Sequence, residues 1–315
     1  MIITQKTASG ETATVQRREC MNLEKDCSKK RIETIVSVFV TAYGLHYLGY
    51  FLRLRYFNLI GASRLSEGVA HGFTYLGHIL FLVMLLLYAL AVEKDRKYIL
   101  AFIPQKGKKN LRWFLLGAVT GLALMGISIL AANLHGDISV GRGSGAGAGL
   151  FIFGFIAVFI QASVEEIESR AFVFGKMKGE GVPLVAAILV SAFFFSYLHA
   201  TNPGFGIVPL LSIFIVGIQY ALAYHYFGNL WFTCGAHTLW NFSQDFIFGL
   251  PDSGKPAAVS IFGTTVNGSS FFYDSTFGIE GGWMAICLNA AFCAVLIIIG
   301  RKHASSADSI KGQDC

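Results

Sequence analysis

Runs of about 20 mostly apolar residues, the length that crosses the hydrocarbon core of a bilayer, recur along most of this chain with short polar breaks between them. That pattern places the chain in a membrane and predicts an all-α fold, a polytopic integral membrane helical bundle. Composition agrees: 54% of the 315 residues are hydrophobic and only 14% charged, against about 25% charged in soluble domains. Eight spans are expected, at about 32–52, 69–92, 112–132, 149–174, 183–201, 206–227, 229–249 and 281–300. The bundle then occupies residues 32–302, with polar tails at 1–31 and 303–315.

The first 31 residues are polar and of mixed charge, with no apolar stretch of a secretory signal, and are read as a disordered cytoplasmic tail. Met21 offers an alternative start, from which residues 1–20 would not be translated. Assigning alternate loops to opposite sides puts 19 Lys and Arg residues with the two tails and the 93–112 and 175–182 loops, against 5 on the other side. The positive-inside bias therefore predicts cytoplasmic termini, in a multi-pass protein of the cell membrane. On the opposite side, the long 250–280 loop, with Pro251 and Pro256, is expected to form an irregular lid. The glycine-rich loop 135–149 is read as a flexible connection and not a phosphate cradle, since it has neither GxGxxG nor a following GKS.

The formal charge of +6 does not indicate a nucleic-acid partner, because the basic residues cluster beside apolar runs; lipid headgroups are the simpler partner. Six cysteines, at 20, 27, 234, 287, 293 and 315, show no CxxC spacing and are read as thiols.

Ionisable side chains inside a span cost at least about 2.5–3.5 kcal/mol each and are usually functional. The fourth span holds Glu165, Glu166, Glu168 and Arg170. Glu166 and Arg170 are spaced i,i+4 in the order that favours pairing, which leaves Glu165 as the candidate general base. His199 ends the fifth span, and the seventh carries His237 and Asn241 one helical turn apart on a common face. If the fourth and fifth helices turn near residue 180, Glu165 and His199 differ in depth by roughly 6 Å at 1.5 Å per residue, so they can face each other. His46, His71, His78 and His225 have no carboxylate in their own segments and are read as packing or interfacial residues. Glu168 is read either as a supporting acid or as a spare carboxylate at the cavity wall.

These residues resemble the CPBP family of CAAX proteases and bacteriocin-processing enzymes, which includes the type II CAAX prenyl endopeptidases. The family pattern is EExxxR, FxxxH and HxxxN or HxxxD on three membrane helices. Here it reads Glu165-Glu166-Ile167-Glu168-Ser169-Arg170, Phe195 to His199, and His237 to Asn241, within residues 149–249. The resemblance implies an intramembrane endopeptidase acting on a membrane-associated protein or peptide. Glu165 and His199 would activate water, His237 and Asn241 would stabilise the oxyanion, and Glu166 and Arg170 would be structural. Ser169 and Ala171 depart from the usual bulky residue and glycine around the arginine.

A zinc-dependent variant would use Glu165, His199 and His237 as ligands, but HExxH is absent, and glutamate-activated water without a cofactor is preferred. Serine and aspartyl alternatives lack their motifs: Ser144 lies in a loop outside GxSG, and there is no GxGD. Outside enzymes, the rivals are a bacteriocin self-immunity or peptide-binding protein and a proton-coupled transporter; the first half lacks the second broken segment that an inverted repeat would supply.

Overall fold

The computed structural model describes the backbone of residues 8–103, 109–143, 145 and 147–311, and of these the side chains of all but 8–24, 62 and 302–311. Residues 1–7 and 312–315 of the two tails, and Ser144, lie outside the described residues.

The chain is a helical membrane bundle. In order come α1 (Ala8–Leu59), α2 (Glu67–Leu76), α3 (Ile79–Ala91), α4 (Glu93–Ile99) and α5 (Asn110–His135). Helix α6 (Ala148–Glu166) runs through π-helical turns at Ile167–Phe174 into α7 (Gly175–Gly179). Then follow α8 (Leu184–Tyr197), α9 (Ile207–Phe227), α10 (Leu230–Phe242) with π turns at Ser243–Ile247, and α11 (Trp283–Lys311).

Six helical stretches among the described residues are long and apolar enough to cross a membrane, at Lys25–Leu59, Glu67–Ala91, Asn110–His135, Ala148–Gly179, Ile207–Phe227 and Trp283–Arg301. The other two expected spans are shorter helices. Helix α8 has 14 residues, about 21 Å of rise, less than the roughly 30 Å hydrocarbon core. It stops because the sequence Thr201-Asn202-Pro203-Gly204 breaks the helix, with Gly204 at φ +72°. Helix α10 begins at an Asn229 cap, whose side chain accepts from the Trp231 N–H at 2.9 Å.

Two expectations for the polar segments need correction. Residues 8–31 are helical and continuous with the first span, where a disordered tail was expected; the segment is rich in Glu, Lys and Arg, which lose little rotamer freedom in a helix. The glycine-rich third loop is not wholly a flexible connection. Its first part forms β1 (Ile138–Arg142), which pairs antiparallel with β2 (Phe262–Val266) of the long loop, Val140 opposite Thr264.

That long loop is irregular apart from β2, but it is built into the bundle. Tyr273, Phe277 and Ile279 are fully buried, and Trp240 of α10 donates to Glu280 Oε1 at 2.9 Å. Its edge is held by Asp137, whose carbonyl accepts from the Asn267 N–H at 2.7 Å and whose carboxylate accepts from Ser270 at 2.6 Å.

Helices α5 and α10 approach closely because Gly117 and Gly121 leave room for backbone. A Cβ at either position would overlap the carbonyl oxygen of Phe232 or Ala236. Such small-residue seams let membrane helices gain packing that hydrophobicity cannot supply in lipid. This seam fixes α10 just ahead of His237.

Candidate active site

The fourth span changes helical type at the site. Regular α-helix ends at Glu166, and the next eight residues form wider π turns, a feature that often marks functional positions. Across this junction Glu165, Glu166 and Glu168 take three different surroundings. Glu168 Oε2 lies 3.0 Å from His46 Nδ1 on α1, and His46 borders the same cavity as Glu165. Glu166 and Arg170 form the expected i,i+4 pair, with Arg170 Nη1 donating to Glu166 Oε1 at 3.0 Å and neither side chain exposed. The Arg170 guanidinium lies over the Phe195 ring at 4.0 Å and near the Tyr220 ring at 5.1 Å. Phe195, the first residue of FxxxH, thereby supports both the arginine and His199, whose ring is 5.1 Å away.

Glu166 has a second task. Its Oε1 also accepts the Nδ1–H of His237 at 3.0 Å, which turns the opposite nitrogen, Nε2, toward Glu165 Oε2 at 3.8 Å. Fixing one imidazole nitrogen decides what the other can do. His199 is held in the same way: its Nδ1–H donates to the Phe195 carbonyl at 3.0 Å, leaving Nε2 as an acceptor.

Glu165 itself is 8% exposed. Its Oε1 accepts from Gln161 Nε2 at 2.6 Å, and Gln161 Oε1 accepts from Asn241 Nδ2 at 3.2 Å. Oε2 has no hydrogen-bond partner among the described residues. Glu165, His199 and Asn241 border one cavity of about 210 Å³, and His199, His237 and Asn241 border a small pocket beside it. The four residues singled out on three helices are thus brought together.

The structure adds residues that the sequence did not single out. His78, read as a packing residue, points Nε2 at Glu165 Oε1 from 3.7 Å, while its Nδ1–H donates to the Tyr75 carbonyl at 2.9 Å. His71, also read as bland, donates to Asp245 Oδ2 at 2.5 Å. Both histidines meet carboxylates on other helices, so no spacing within a segment could reveal them. Gln161 could have been found, since it lies one helical turn before Glu165. The lid contributes Asp252, Ser253 and Lys255 to the cavity wall. Asp252 lies outside the spans, and burial, then the charge of Glu280, pushes its carboxyl up to about 7.

Among the described residues no group of three or more His, Cys, Asp or Glu side chains is arranged to hold a metal ion. In the Glu165, His199 and His237 set, the histidine Nε2 atoms and Glu165 Oε2 are the donors zinc would need, with His237 Nε2 and Glu165 Oε2 3.8 Å apart.

A family model described as Type II CAAX prenyl endopeptidase Rce1-like matches residues 147–243. No curated protein and no solved structure matches the chain. The matched segment runs from the start of α6 to the end of α10 and contains all three motifs; bacteriocin immunity gains no support from it. With six apolar helices of spanning length around that segment, the chain is an integral membrane protein whose residues 147–243 belong to the CPBP family of CAAX-type membrane proteases.

Proposed function

We propose that this protein is an intramembrane endopeptidase that hydrolyses a peptide bond of a membrane-associated protein or peptide with water activated by Glu165. The observation that carries this reading is the division of labour within one carboxylate. Oε1 is tied to Gln161 at 2.6 Å, whereas Oε2 is buried without a hydrogen-bond partner among the described residues, on a residue that borders the cavity. A water held between Oε2 and the acceptor nitrogen of His199 gives one proton to Oε2 as its oxygen attacks the carbonyl carbon.

The resulting oxyanion needs donors already in place. Asn241 has a second N–H beyond the one given to Gln161, and a protonated His237, with Nδ1–H on Glu166, offers Nε2–H. When the tetrahedral intermediate collapses, the C–N bond breaks and the amine leaves with the proton held by Glu165. No bond to the enzyme forms, in keeping with the absence of a serine-protease motif. Glu166 and Arg170 act indirectly, by fixing His237.

Glutamate-activated water is preferred over zinc because the chain has no HExxH and, among the described residues, no three His, Cys, Asp or Glu side chains are arranged to hold a metal ion; the committed Nδ1 atoms of His199 and His237 suit either chemistry. Metal analysis of the purified protein checks this: activity should survive chelation, and stoichiometric zinc lost together with activity would overturn the preference. The main experiment compares membrane and secreted peptidomes of cells expressing the wild type, Glu165→Ala and His199→Ala. Loss of a general base lowers rate by about 10²–10⁴-fold, so the wild-type cleavage products should disappear with both variants. Unchanged products in both would leave hydrolysis without support.

A further inference from the structure

The second apolar span holds a residue that the reaction above does not use. Glu67–Ala91 is long and apolar enough to cross a membrane, yet regular helix stops at Leu76 and resumes at Ile79. Between them the turn tightens: the His78 N–H bonds to the Tyr75 carbonyl and the Phe81 N–H to the His78 carbonyl, each at 3.0 Å and three residues apart. The His78 ring closes the same turn, since its Nδ1–H donates to the Tyr75 carbonyl at 2.9 Å and its face stacks on Phe81 with centroids 5.2 Å apart. Both contacts fix the ring, and Nε2 is the atom left to meet other helices.

Two charged residues meet it. Gly77 leaves room for the Arg53 side chain of α1, whose Cγ would lie 3.2 Å from a Cβ at that position, and Arg53 Nη1 comes within 3.5 Å of His78 Nε2. The same Nε2 is 3.7 Å from Glu165 Oε1. A neutral ring accepts there from Arg53, and a protonated ring donates there to Glu165; either state keeps a positive group close to the carboxylate. Near the other oxygen, Oε2, stands His237 Nε2 at 3.8 Å. Glu165 is therefore flanked by two imidazoles, each held through its Nδ1–H, one by the Tyr75 carbonyl and one by Glu166.

The last torsion of a glutamate is broad and two-fold, so the single hydrogen bond from Gln161 to Oε1, at 2.6 Å, leaves the carboxylate plane free to turn. A second contact at Oε1 from another helix removes that freedom. We propose that His78 is a positioning residue for Glu165, holding Oε1 through Nε2 so that Oε2 is presented to the water. This deepens the peptidase reading above and rests on it. Contacts to a general base are often long before substrate binds and tighten in the reacting complex. The assignment gives the two ring nitrogens separate work, Nδ1 for the fold of the turn and Nε2 for the reaction.

Two isosteres separate these jobs. The side-chain amide of asparagine takes the place of Nδ1–H and offers nothing at Nε2, whereas that of glutamine reaches the Nε2 position and gives up the Tyr75 bond. Wild type, Glu165→Ala, His78→Asn and His78→Gln, all full length, are expressed in cells, and the products that vanish with Glu165→Ala are timed in each. A hydrogen bond to a charged group contributes about 10–100-fold, so His78→Asn should form these products at least tenfold more slowly than wild type, and His78→Gln should recover most of that loss. With purified protein and one such substrate peptide, kcat should carry the change and KM should not. SDS-driven unfolding should give the opposite order, with His78→Asn the more stable variant. A merely structural His78 would make activity follow stability, and His78→Asn cleaving as fast as His78→Gln, folded or not, would overturn the assignment. Products that depend on Glu165 but not on Nε2 defeat the His78 assignment alone. Products unchanged by Glu165→Ala defeat the peptidase reading, and the role of His78 with it.

Discussion

Removing one member of the Glu166 and Arg170 pair should cost far more than its single 3.0 Å contact suggests. Both side chains are fully buried, and three of their polar atoms, Glu166 Oε2 and Arg170 Nε and Nη2, have no partner among the described residues. Glu166→Gln leaves the guanidinium with only the Phe195 and Tyr220 faces, worth about 2 kcal/mol at best. Arg170→Met leaves a buried carboxylate with only His237 for company. Stranding either charge is expected to cost about 3–5 kcal/mol. The double variant strands neither, and an uncharged pair of similar volume is often tolerated. It should therefore cost no more than the larger single change, a coupling of about 3 kcal/mol or more. The assay is SDS-driven unfolding in mixed micelles followed by the fluorescence of the four tryptophans. Single costs that simply add, within about 0.5 kcal/mol, would refute the idea that these residues form a charge-compensated unit. Peptidase activity should fall in the double variant despite its stability, because His237 loses its charged acceptor.

Three further outcomes are expected. Gln161→Ala removes the donor to Glu165 Oε1 and the link to Asn241; kcat should fall about tenfold with KM little changed, and an unchanged kcat would remove Gln161 from the site. The lid should loosen as pH rises. Tyr75 has one hydroxyl hydrogen, yet its oxygen lies 2.8 Å from Asp245 and 2.6 Å from Asp252, so one contact needs a protonated carboxyl, and Asp252, raised to about 7, provides it. Because its folded pKa lies above the ordinary 3.8, the folded lid binds the proton more tightly; that stabilisation is full only below that ordinary value and is lost as pH climbs through about 7. Hydrogen exchange in residues 262–275, corrected for intrinsic rate, should speed up from pH 6 to pH 8 in the wild type and not in Asp252→Asn; equal pH dependence would count against the latch. Finally, with Cys20, Cys27, Cys287 and Cys315 replaced by serine, an impermeant thiol reagent on intact cells should label Thr265→Cys in the lid and not Lys94→Cys in the basic loop. The reverse pattern would invert the orientation drawn from positive charge.

The site opens toward the lid. Its cavity is walled by the end of α1, the 198–203 turn and Lys255, whereas the basic loops lie at the other end, where Lys176 bridges Asp95 and Glu180 at 2.5 Å each. If the termini are cytoplasmic, substrate is cut on the outer side, which makes the labelling experiment a test of where the chemistry occurs.

The membrane class and the helical architecture were readable from the chain, and the candidate residues Glu165, His199, His237 and Asn241 could be singled out there, because each rests on local information. Apolar runs must span or be buried, and a charged or imidazole side chain in such a run is conspicuous where it stands. The i,i+4 pairing of Glu166 and Arg170 was equally local. Folding in three dimensions settled everything that depended on a partner far along the chain. His78 became a neighbour of Glu165, and His46 took Glu168. Glu166 acquired His237 as well as its arginine, and the long 250–280 loop delivered Asp252 and Lys255 to the cavity. The π turns after Glu166 were also invisible beforehand, because helical type there is decided by packing against α8, where Ser191 donates to the Ser169 carbonyl at 2.7 Å, and not by residue preference. Short-range periodicity records which face of a helix is apolar; it carries no record of which helix that face will meet, and in this protein that meeting divides one glutamate pair into a carboxylate with one oxygen free of hydrogen bonds and a buried clamp.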